Sequence, residues 1–167
     1  MRTIGVISDT HGLLRDEALQ ALAGSELIVH AGDVGKPEIL ERLSEIAPVR
    51  AVYGNTDWGE LRQVLPGTDV VDLSAADGEP PATGGGGEAP LAYVLHILDT
   101  LDLDPAAAGM RVVIFGHTHE PLLREHDGVL YLNPGSAGPR RSGLPVTAAR
   151  MILEGGQVRA EIVDLGV

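Results

Sequence analysis

The sequence of 167 residues contains no cysteine, and its formal net charge is −12 at pH 7. The missing cysteines exclude disulfides and thiolate metal sites, and the negative charge argues against broad binding of nucleic-acid phosphates. Because no apolar run is long enough for a transmembrane helix and the N-terminus lacks signal-peptide anatomy, we expect no membrane partner and a cytoplasmic location. The length predicts one domain over residues 1–167 and leaves open whether the chain forms a homo-oligomer.

The first half of the chain alternates predicted strands with predicted helices. Short apolar runs predict strands at residues 3–8, 27–29, 49–53 and 69–73. Helical spacing of apolar residues predicts helices at residues 14–23, 37–46 and 58–64. Pro37 suits the first turn of the second helix, and Pro48 ends it.

Residues 74–90 interrupt this alternation. They include Pro80, Pro81, Pro90 and four consecutive glycines at residues 84–87. This composition cannot bury a core, so it predicts a flexible loop between two strands. A flap that covers a substrate is the alternative interpretation of the same segment.

The second half of the chain is mostly predicted strand. Strands are predicted at residues 91–95, 111–115, 122–125, 129–132, 147–153 and 158–163, and a helix at residues 98–103. The last four strands form two predicted hairpins, because His126-Asp127-Gly128 and Glu154-Gly155-Gly156-Gln157 are turn sequences.

Five predicted strands end in residues that can bind a metal ion. These residues are Asp9 with His11, Asp33, Asn55, His96, and His117 with His119. In a parallel or mixed sheet these strand ends lie along one edge, where α/β folds place their sites. Carboxylate and imidazole ligands together suit manganese, iron, cobalt, nickel or zinc, and a carboxylate such as Asp33 can bridge two such ions.

Several residues near these strand ends have a second interpretation. Asn55 could form a plain turn, and His96 could be a packed core histidine. For His30 we favour a structural role, and for Trp58 we favour the core over the substrate entrance. Asp57 could orient a ligand or cap the following helix.

The order and strand context of these motifs resemble the calcineurin-like metallophosphoesterases. The motifs are Asp9-Thr10-His11, Gly32-Asp33, Gly54-Asn55, His96 and Gly116-His117-Thr118-His119. The compact length, and Asn133-Pro134-Gly135-Ser136 followed by Arg140, resemble the small bacterial and archaeal phosphodiesterase branch. That branch is itself similar to the retromer subunit that shares its fold.

The resemblance implies an α/β (α+β) fold, a four-layer αββα sandwich of two mixed β-sheets flanked by helices. It places a dinuclear metal site at the carboxyl ends of the strands. One ion would be held by Asp9, His11, Asp33 and His119, and the other by Asp33, Asn55, His96 and His117. Manganese is the expected metal, with nickel, iron, cobalt and zinc as alternatives.

The activity implied by the resemblance is hydrolysis of a small phosphodiester by a hydroxide that bridges the two ions. A phosphomonoesterase and a non-catalytic protein-interaction scaffold are the alternatives. The candidate catalytic residues are Asn55 and Asp57, and the candidate phosphate-binding residues are Asn55, Ser136, Arg140 and Arg141.

The sequence departs from the family pattern after two of its motifs. Many relatives have a histidine after Gly-Asn that helps to protonate the leaving group, whereas this chain has Thr56. Leaving-group protonation by a histidine at that position is therefore unavailable. Many relatives also have glycine after the histidine that corresponds to His96, whereas this chain has Ile97.

Overall fold

The computed structural model describes residues 1–82 and 89–167. In chain order its elements are β1 (Arg2–Ile7), α1 (Asp16–Leu22), β2 (Leu27–His30), α2 (Pro37–Ser44), β3 (Val49–Ala51), α3 (Glu60–Val64), β4 (Thr68–Asp72), β5 (Leu91–Leu95), a 3₁₀-helix (Leu98–Thr100), β6 (Met110–Ile114), β7 (Leu122–His126), β8 (Val129–Asn133), β9 (Thr147–Glu154) and β10 (Gln157–Asp164). Within these residues no helix is both long and apolar enough to span a bilayer.

The strands form two five-stranded mixed sheets. The first has the order β10-β9-β1-β2-β3, and the second has the order β4-β5-β6-β8-β7. In the first sheet β1, β2 and β3 are parallel, and in the second β5, β6 and β8 are parallel. Two mixed sheets were expected from the resemblance, and this part of the predicted fold is confirmed.

Alternating residues of β1 show how the layers pack. Ile4 and Val6 are fully buried in the cluster that both sheets share, and Ile7 belongs to the cluster beneath α1 and α2. Gly5 lies under α1, where a Cβ atom would come within 2.6 Å of Leu22 Cδ2. A strand that is apolar on both faces is buried on both faces, and each fully buried side chain of this size contributes about 1.5–3 kcal/mol.

The outer face of the second sheet is covered differently from that of the first. Leu95, Val113 and Phe115 are buried there under Leu98 and Leu101. In the part of the chain that the structure describes, this covering layer is the 3₁₀-helix and irregular chain, so the helix predicted at residues 98–103 shortens to one turn. The α/β sandwich is confirmed, with a fourth layer that is thinner than the first. The prediction of a single domain stays a prediction.

The segment predicted as a flexible loop begins with a fixed turn. Arg2 Nη2 donates a hydrogen bond to the Ala75 carbonyl oxygen at 2.7 Å, and the Asp72 amide donates to the Gly78 carbonyl oxygen at 2.9 Å. Arg50 pairs with Asp69 at 2.8 Å and also contacts Glu79. Hydrogen bonds therefore hold residues 74–79 against β4, whereas the glycines at 84–87 lie outside the described residues.

Candidate metal centre

The predicted ligands follow strands of both sheets. Asp9, Asp33 and Asn55 come after β1, β2 and β3 of the first sheet, and His96 and His117 come after β5 and β6 of the second. The His117 amide donates to Asp9 Oδ2 at 3.1 Å and so links the two sheets at this end. The site is thus formed where the carboxyl ends of two sheets meet, and not along the edge of one sheet alone.

The backbone is left-handed at most of these positions. Positive φ angles occur at Asp9 (55°), His11 (46°), Asp33 (54°), His117 (72°) and His119 (63°). Among non-glycine residues in the described ranges, only Asp127 in the β7–β8 hairpin also has a positive φ. Such conformations cost of order 1–3 kcal/mol each and cluster at functional sites. Because they coincide here with the predicted ligands, they indicate a functional site at this end of the sheets.

Two carboxylate oxygens lie among the imidazole rings. Asp9 Oδ1 is 3.1 Å from His119 Nε2, 3.6 Å from His11 Nε2 and 3.8 Å from His96 Nε2. Asp33 Oδ2 is 3.1 Å from His96 Nε2 and 3.7 Å from His11 Nε2. Ligand atoms of Asp9, His11 and His119 lie within 4.8 Å of one another, and so do those of Asp9, Asp33 and His96.

The other oxygen of each carboxylate is held by hydrogen-bond donors. Ser8 Oγ donates to Asp9 Oδ2 at 2.6 Å, the same oxygen that accepts from the His117 amide. The Thr56 amide donates to Asp33 Oδ1 at 2.9 Å. One oxygen of each aspartate is therefore directed at the imidazoles while its partner fixes the orientation of the group.

Two motif glycines make room for these carboxylates. A Cβ atom at Gly116 would lie 2.6 Å from Asp9 Oδ2 and 2.1 Å from Ser8 Oγ. A Cβ atom at Gly54 would lie 2.1 Å from Asp33 Oδ1. Any side chain at either position would displace a carboxylate, which gives a physical reason for glycine in the Gly54-Asn55 and Gly116-His117 motifs.

Buried polar atoms without partners test whether a cation fits here. Within the described residues, Asp9 Oδ1 and His96 Nε2 have no hydrogen-bond partner, although Asp9 is 0% and His96 4% exposed. Leaving such atoms unpaired in a protein interior costs about 1–3 kcal/mol each. His96 Nδ1 donates to the Ala31 carbonyl oxygen at 2.7 Å, which directs Nε2 towards Asp33 and leaves Nε2 as the ring atom that could bind a cation. These residues fit a divalent cation.

The electrostatics of the cluster favour ionised aspartates. Burial alone would raise the pKa of Asp9, but its contacts with His11, His119 and Ser8 outweigh burial and hold the pKa well below its usual range. For Asp33 burial is likewise outweighed by His96 and the Thr56 amide, which lower the pKa to about 2. Both carboxylates are therefore anionic and suited to bind a cation.

Asn55 and His117 lie together at the exposed side of the centre. Asn55 Oδ1 is 3.0 Å from His117 Nδ1, and the rings of His117 and His96 meet edge to face with centroids 5.3 Å apart. Both Asn55 and His117 are exposed. The structure thus brings all seven predicted ligands to one region. Four of them are buried and His11 is half-buried in one cluster, and two lie at its rim.

Asp57 holds the loop that carries Asn55, in keeping with the ligand-orienting interpretation. Its carboxylate is 1% exposed and accepts hydrogen bonds from the amides of Gly54 at 2.9 Å, Val34 at 3.1 Å and Gly35 at 2.9 Å. The cap of α3 is Gly59, so the helix-capping interpretation is wrong. Asp57 joins the loops after β2 and β3, which makes it a positioning residue and corrects the catalytic role predicted for it.

The three predicted phosphate-binding residues outside the ligand set are placed differently from one another. Ser136 is 4% exposed and donates from Oγ to the Asp9 carbonyl oxygen at 2.9 Å, so its hydroxyl supports the Asp9 loop. Arg140 and Arg141 are exposed. Arg140 lines a cavity with Leu144 and Asp164, and none of the predicted ligands lines that cavity. Phosphate binding by the two arginines stays a prediction.

His30 is part of a buried relay beside the cluster. Its Nδ1 accepts a hydrogen bond from the Gly32 amide at 3.1 Å, and its Nε2 lies 3.0 Å from Thr10 Oγ1. Thr10 Oγ1 donates to the Val34 carbonyl oxygen at 2.8 Å, so His30 Nε2 carries the proton and donates to Thr10. Burial lowers the pKa of His30 to about 4. A neutral His30 thus joins the loops after β1 and β2, in keeping with the structural role favoured from the sequence.

Asn133 is a positioning residue that sequence reasoning missed. Its side-chain amide donates to the Gly116 carbonyl oxygen at 3.1 Å and to Thr118 Oγ1 at 3.0 Å. These bonds hold the loop that carries His117 and His119. The sequence did carry a signal for this role, because Asn133 directly follows the predicted strand at residues 129–132, as the other polar residues of the centre follow their strands.

The expectation that Trp58 belongs to the core is wrong. Its side chain is 72% exposed, and the guanidinium of Arg62 lies beside its ring. Trp58 follows the Gly54-Asn55 loop and precedes α3, which places it on the surface near the rim of the centre.

Comparisons with known proteins point to one family. A family model described as the calcineurin-like phosphoesterase superfamily domain matches residues 1–156. A probable metallophosphoesterase of Methanothermobacter thermautotrophicus is 35% identical over 173 residues, covering 98% of this chain and 92% of that protein. The structure of an archaeal phosphodiesterase superposes with a TM-score of 0.72 at 24% identity, covering 96% of this chain and 99% of that chain. The zinc complex of Vps29 from Entamoeba histolytica superposes with a TM-score of 0.69 at 18% identity, covering 98% and 99%.

Proposed function

Because the chain belongs to the calcineurin-like phosphoesterase superfamily, we propose that it hydrolyses a small phosphodiester with two divalent metal ions. The observation that carries the proposal is the pair of buried, unpartnered atoms Asp9 Oδ1 and His96 Nε2, found where the described carboxylates and imidazoles converge. Such atoms are costly in a protein interior without a cation, so they support metal binding, and the assay described below separates an enzyme from a scaffold that binds metal.

One ion would be held by Asp9, His11, Asp33 and His119, and the second by Asp33, Asn55, His96 and His117. Asp33 suits the shared position, because its Oδ2 lies near both His96 and His11. Mixed oxygen and nitrogen ligands favour manganese, with nickel, iron, cobalt and zinc as alternatives. The two ions would supply an activated water and neutralise the charge that develops on the phosphate.

The chain's own residues orient the substrate and determine which leaving groups it accepts. Asn55 is exposed at the rim, so its amide can donate to a phosphate oxygen while its Oδ1 faces His117. Thr56 takes the place of the histidine that many relatives use to protonate the leaving group. We therefore propose that the substrate has a leaving group that departs without a protein acid, or with a proton from solvent.

Metal reconstitution tests this function and its alternatives. Protein freed of metal with a chelator is reloaded with manganese, nickel, iron, cobalt or zinc and assayed with bis(p-nitrophenyl) phosphate and p-nitrophenyl phosphate. We expect turnover only with metal, highest with manganese and faster for the diester. Faster turnover of the monoester would support a phosphomonoesterase, and stoichiometric metal binding without turnover of either substrate would support the non-catalytic scaffold.

A further inference from the structure

Arg62 lies beside two aromatic rings near the rim of the metal centre. Its Cζ is 4.5 Å from the centroid of the Tyr53 ring and 5.2 Å from that of the Trp58 ring. Tyr53 and Trp58 flank the loop that carries Asn55, and Arg62 is on α3 directly after it. Contacts of a guanidinium with aromatic faces are favourable, so the two rings limit the orientations that the Arg62 side chain can adopt.

A cavity connects these side chains to the centre. It has a volume of about 360 Å³ and is lined by Tyr53, Arg62, Ile97 and Thr100 together with the two ligand candidates Asn55 and His96. The cavity therefore offers space for one of the two organic groups of a phosphodiester bound at the ligands. Cavities of this size hold small organic molecules.

The positive charge of Arg62 has no carboxylate partner among the described residues. The chain has 24 acidic residues and 12 basic residues, and Arg50 and Arg42 are paired with carboxylates. Within residues 1–82 and 89–167 no ion pair is recorded for Arg62, whose side chain is exposed. The two ring contacts involve its Cζ atom, and among the described residues no hydrogen bond uses its N–H donors, whose fork matches a carboxylate or phosphate.

We propose that Arg62, oriented by Tyr53 and Trp58, binds a second anionic oxygen group of the substrate, such as a carboxylate. This group would be carried by the part of the phosphodiester that lies in the cavity on the Asn55 and His96 side. The inference rests on the proposed phosphodiesterase function and adds a substrate class to it: small phosphodiesters with a further negative charge on one organic group.

Two diesters with the same leaving group test the subsite. They are p-nitrophenyl phenyl phosphate and p-nitrophenyl p-carboxyphenyl phosphate, which differ by one carboxylate. We expect wild-type protein loaded with manganese to favour the carboxylated diester by about tenfold in kcat/KM, mainly through a lower KM, because a charged hydrogen bond is gained. Arg62→Ala should remove that preference, and Arg62→Lys should retain part of it, since the charge remains but the fork is lost.

Arg159→Ala is the matched control. Arg159 is an exposed arginine paired with Glu154, and through Ile152 it is in register with Thr3, at the end of the first sheet away from the metal centre. The Arg159→Ala substitution removes the same charge as Arg62→Ala, but its preference for the carboxylated diester should equal that of wild type. Equal preference in Arg62→Ala and Arg159→Ala, or no preference in wild type, would overturn the subsite even if both diesters are hydrolysed.

Fluorescence gives a readout that does not depend on turnover. Trp58 is the single tryptophan, so emission excited where tyrosine does not absorb comes only from the ring beside Arg62. We expect p-carboxyphenyl phosphate to change the emission at lower concentration than phenyl phosphate, and this difference to disappear in Arg62→Ala. Selective binding in a wild-type protein that hydrolyses neither diester would overturn the phosphodiesterase function but support the anion subsite. Binding without selectivity would overturn the subsite.

Discussion

The buried cluster and the exposed rim of the metal centre are constructed in opposite ways. In the cluster, Asp9 and Asp33 each have one oxygen held by donors, and their carboxylates occupy the space that a Cβ atom at Gly116 or Gly54 would need. At the rim, Asn55 and His117 are exposed and contact each other. The cluster is determined by the fold, whereas the rim retains freedom to adapt to a ligand. Substitutions in the cluster should therefore have larger effects than those at the rim.

The largest effect is expected for Asp33→Asn. The substitution keeps the size of the side chain and an oxygen for the Thr56 amide, but it removes the charge proposed to serve both ions. We expect kcat/KM for an aryl phosphodiester to fall by about a thousandfold, since metal stabilisation of a transition state is worth several kcal/mol, and the bound metal measured by mass spectrometry to decrease. Glu41→Ala, an exposed carboxylate on α2, is the control. Full metal content and turnover in Asp33→Asn would show that the ligand assignment is wrong.

Gly116→Ala tests whether the cluster is as closely packed as its distances indicate. The new Cβ would lie 2.1 Å from Ser8 Oγ, so Ser8 and Asp9 must move. We expect the free energy of unfolding to decrease by about 1–3 kcal/mol, the usual cost of overpacking, with weaker metal binding by titration calorimetry. Gly116 does not have a positive φ, whereas Gly143 has a φ of +79° and open space around its Cα. Gly143→Ala therefore introduces backbone strain without steric overlap and serves as the contrasting variant. An equal effect on metal binding in both variants would contradict this account.

The lowered pKa of His30 predicts that the stability of the folded protein depends on pH. Its pKa is lowered to about 4 in the folded protein, below about 6.5 in an unfolded chain. The folded state therefore binds fewer protons between these values, and stability is lost as the pH falls through this window, by about 3 kcal/mol for the full shift. The pKa shift sets the window between pH 6.5 and 4. In denaturant unfolding of metal-free protein, the free energy of unfolding should decrease more steeply across this window in wild type than in His30→Gln. Parallel pH profiles would exclude a contribution from His30.

Asn55→Ala should reduce activity less than Asp33→Asn and should have little effect on stability, because Asn55 belongs to the rim. We expect kcat for the diester to fall by about tenfold to a hundredfold, a range below the loss for one well-placed donor in a closed site. The unfolding free energy should change by no more than about 0.5 kcal/mol, as for other exposed positions. A loss of activity as large as that of Asp33→Asn would remove the distinction between cluster and rim.

The strand ends of the centre could be predicted because each one has a local signal. A short apolar run followed at once by a polar ligand type, as in Ile7-Ser8-Asp9 or Val29-His30 before Asp33, is visible in the sequence without tertiary information. The order of these runs also indicated parallel strands, so that their carboxyl ends meet. The two mixed sheets and the gathering of the ligands follow from that order.

The errors concern residues whose role depends on loops that meet only in the folded chain. Asp57 accepts hydrogen bonds from amides more than twenty positions away in the sequence, at Val34 and Gly35, and no local pattern predicts this. The core was favoured over the substrate entrance for Trp58, but its ring lies on the surface, where Arg62 contacts it. The layer over the second sheet was also mispredicted in part, because residues 98–103 are too few for the spacing of apolar residues to separate an α-helix from a 3₁₀ turn.

The left-handed backbone at Asp9, His11, Asp33, His117 and His119 limits which substitutions can be tolerated before any chemistry is considered. Asparagine and glycine adopt this conformation readily, whereas valine and isoleucine do not. In a saturation library at these five positions, asparagine and glycine should therefore be the substitutions that chiefly retain folded protein. Alanine scanning would mix backbone strain with loss of a ligand, so an exchange of aspartate for asparagine isolates the charge more cleanly at this centre.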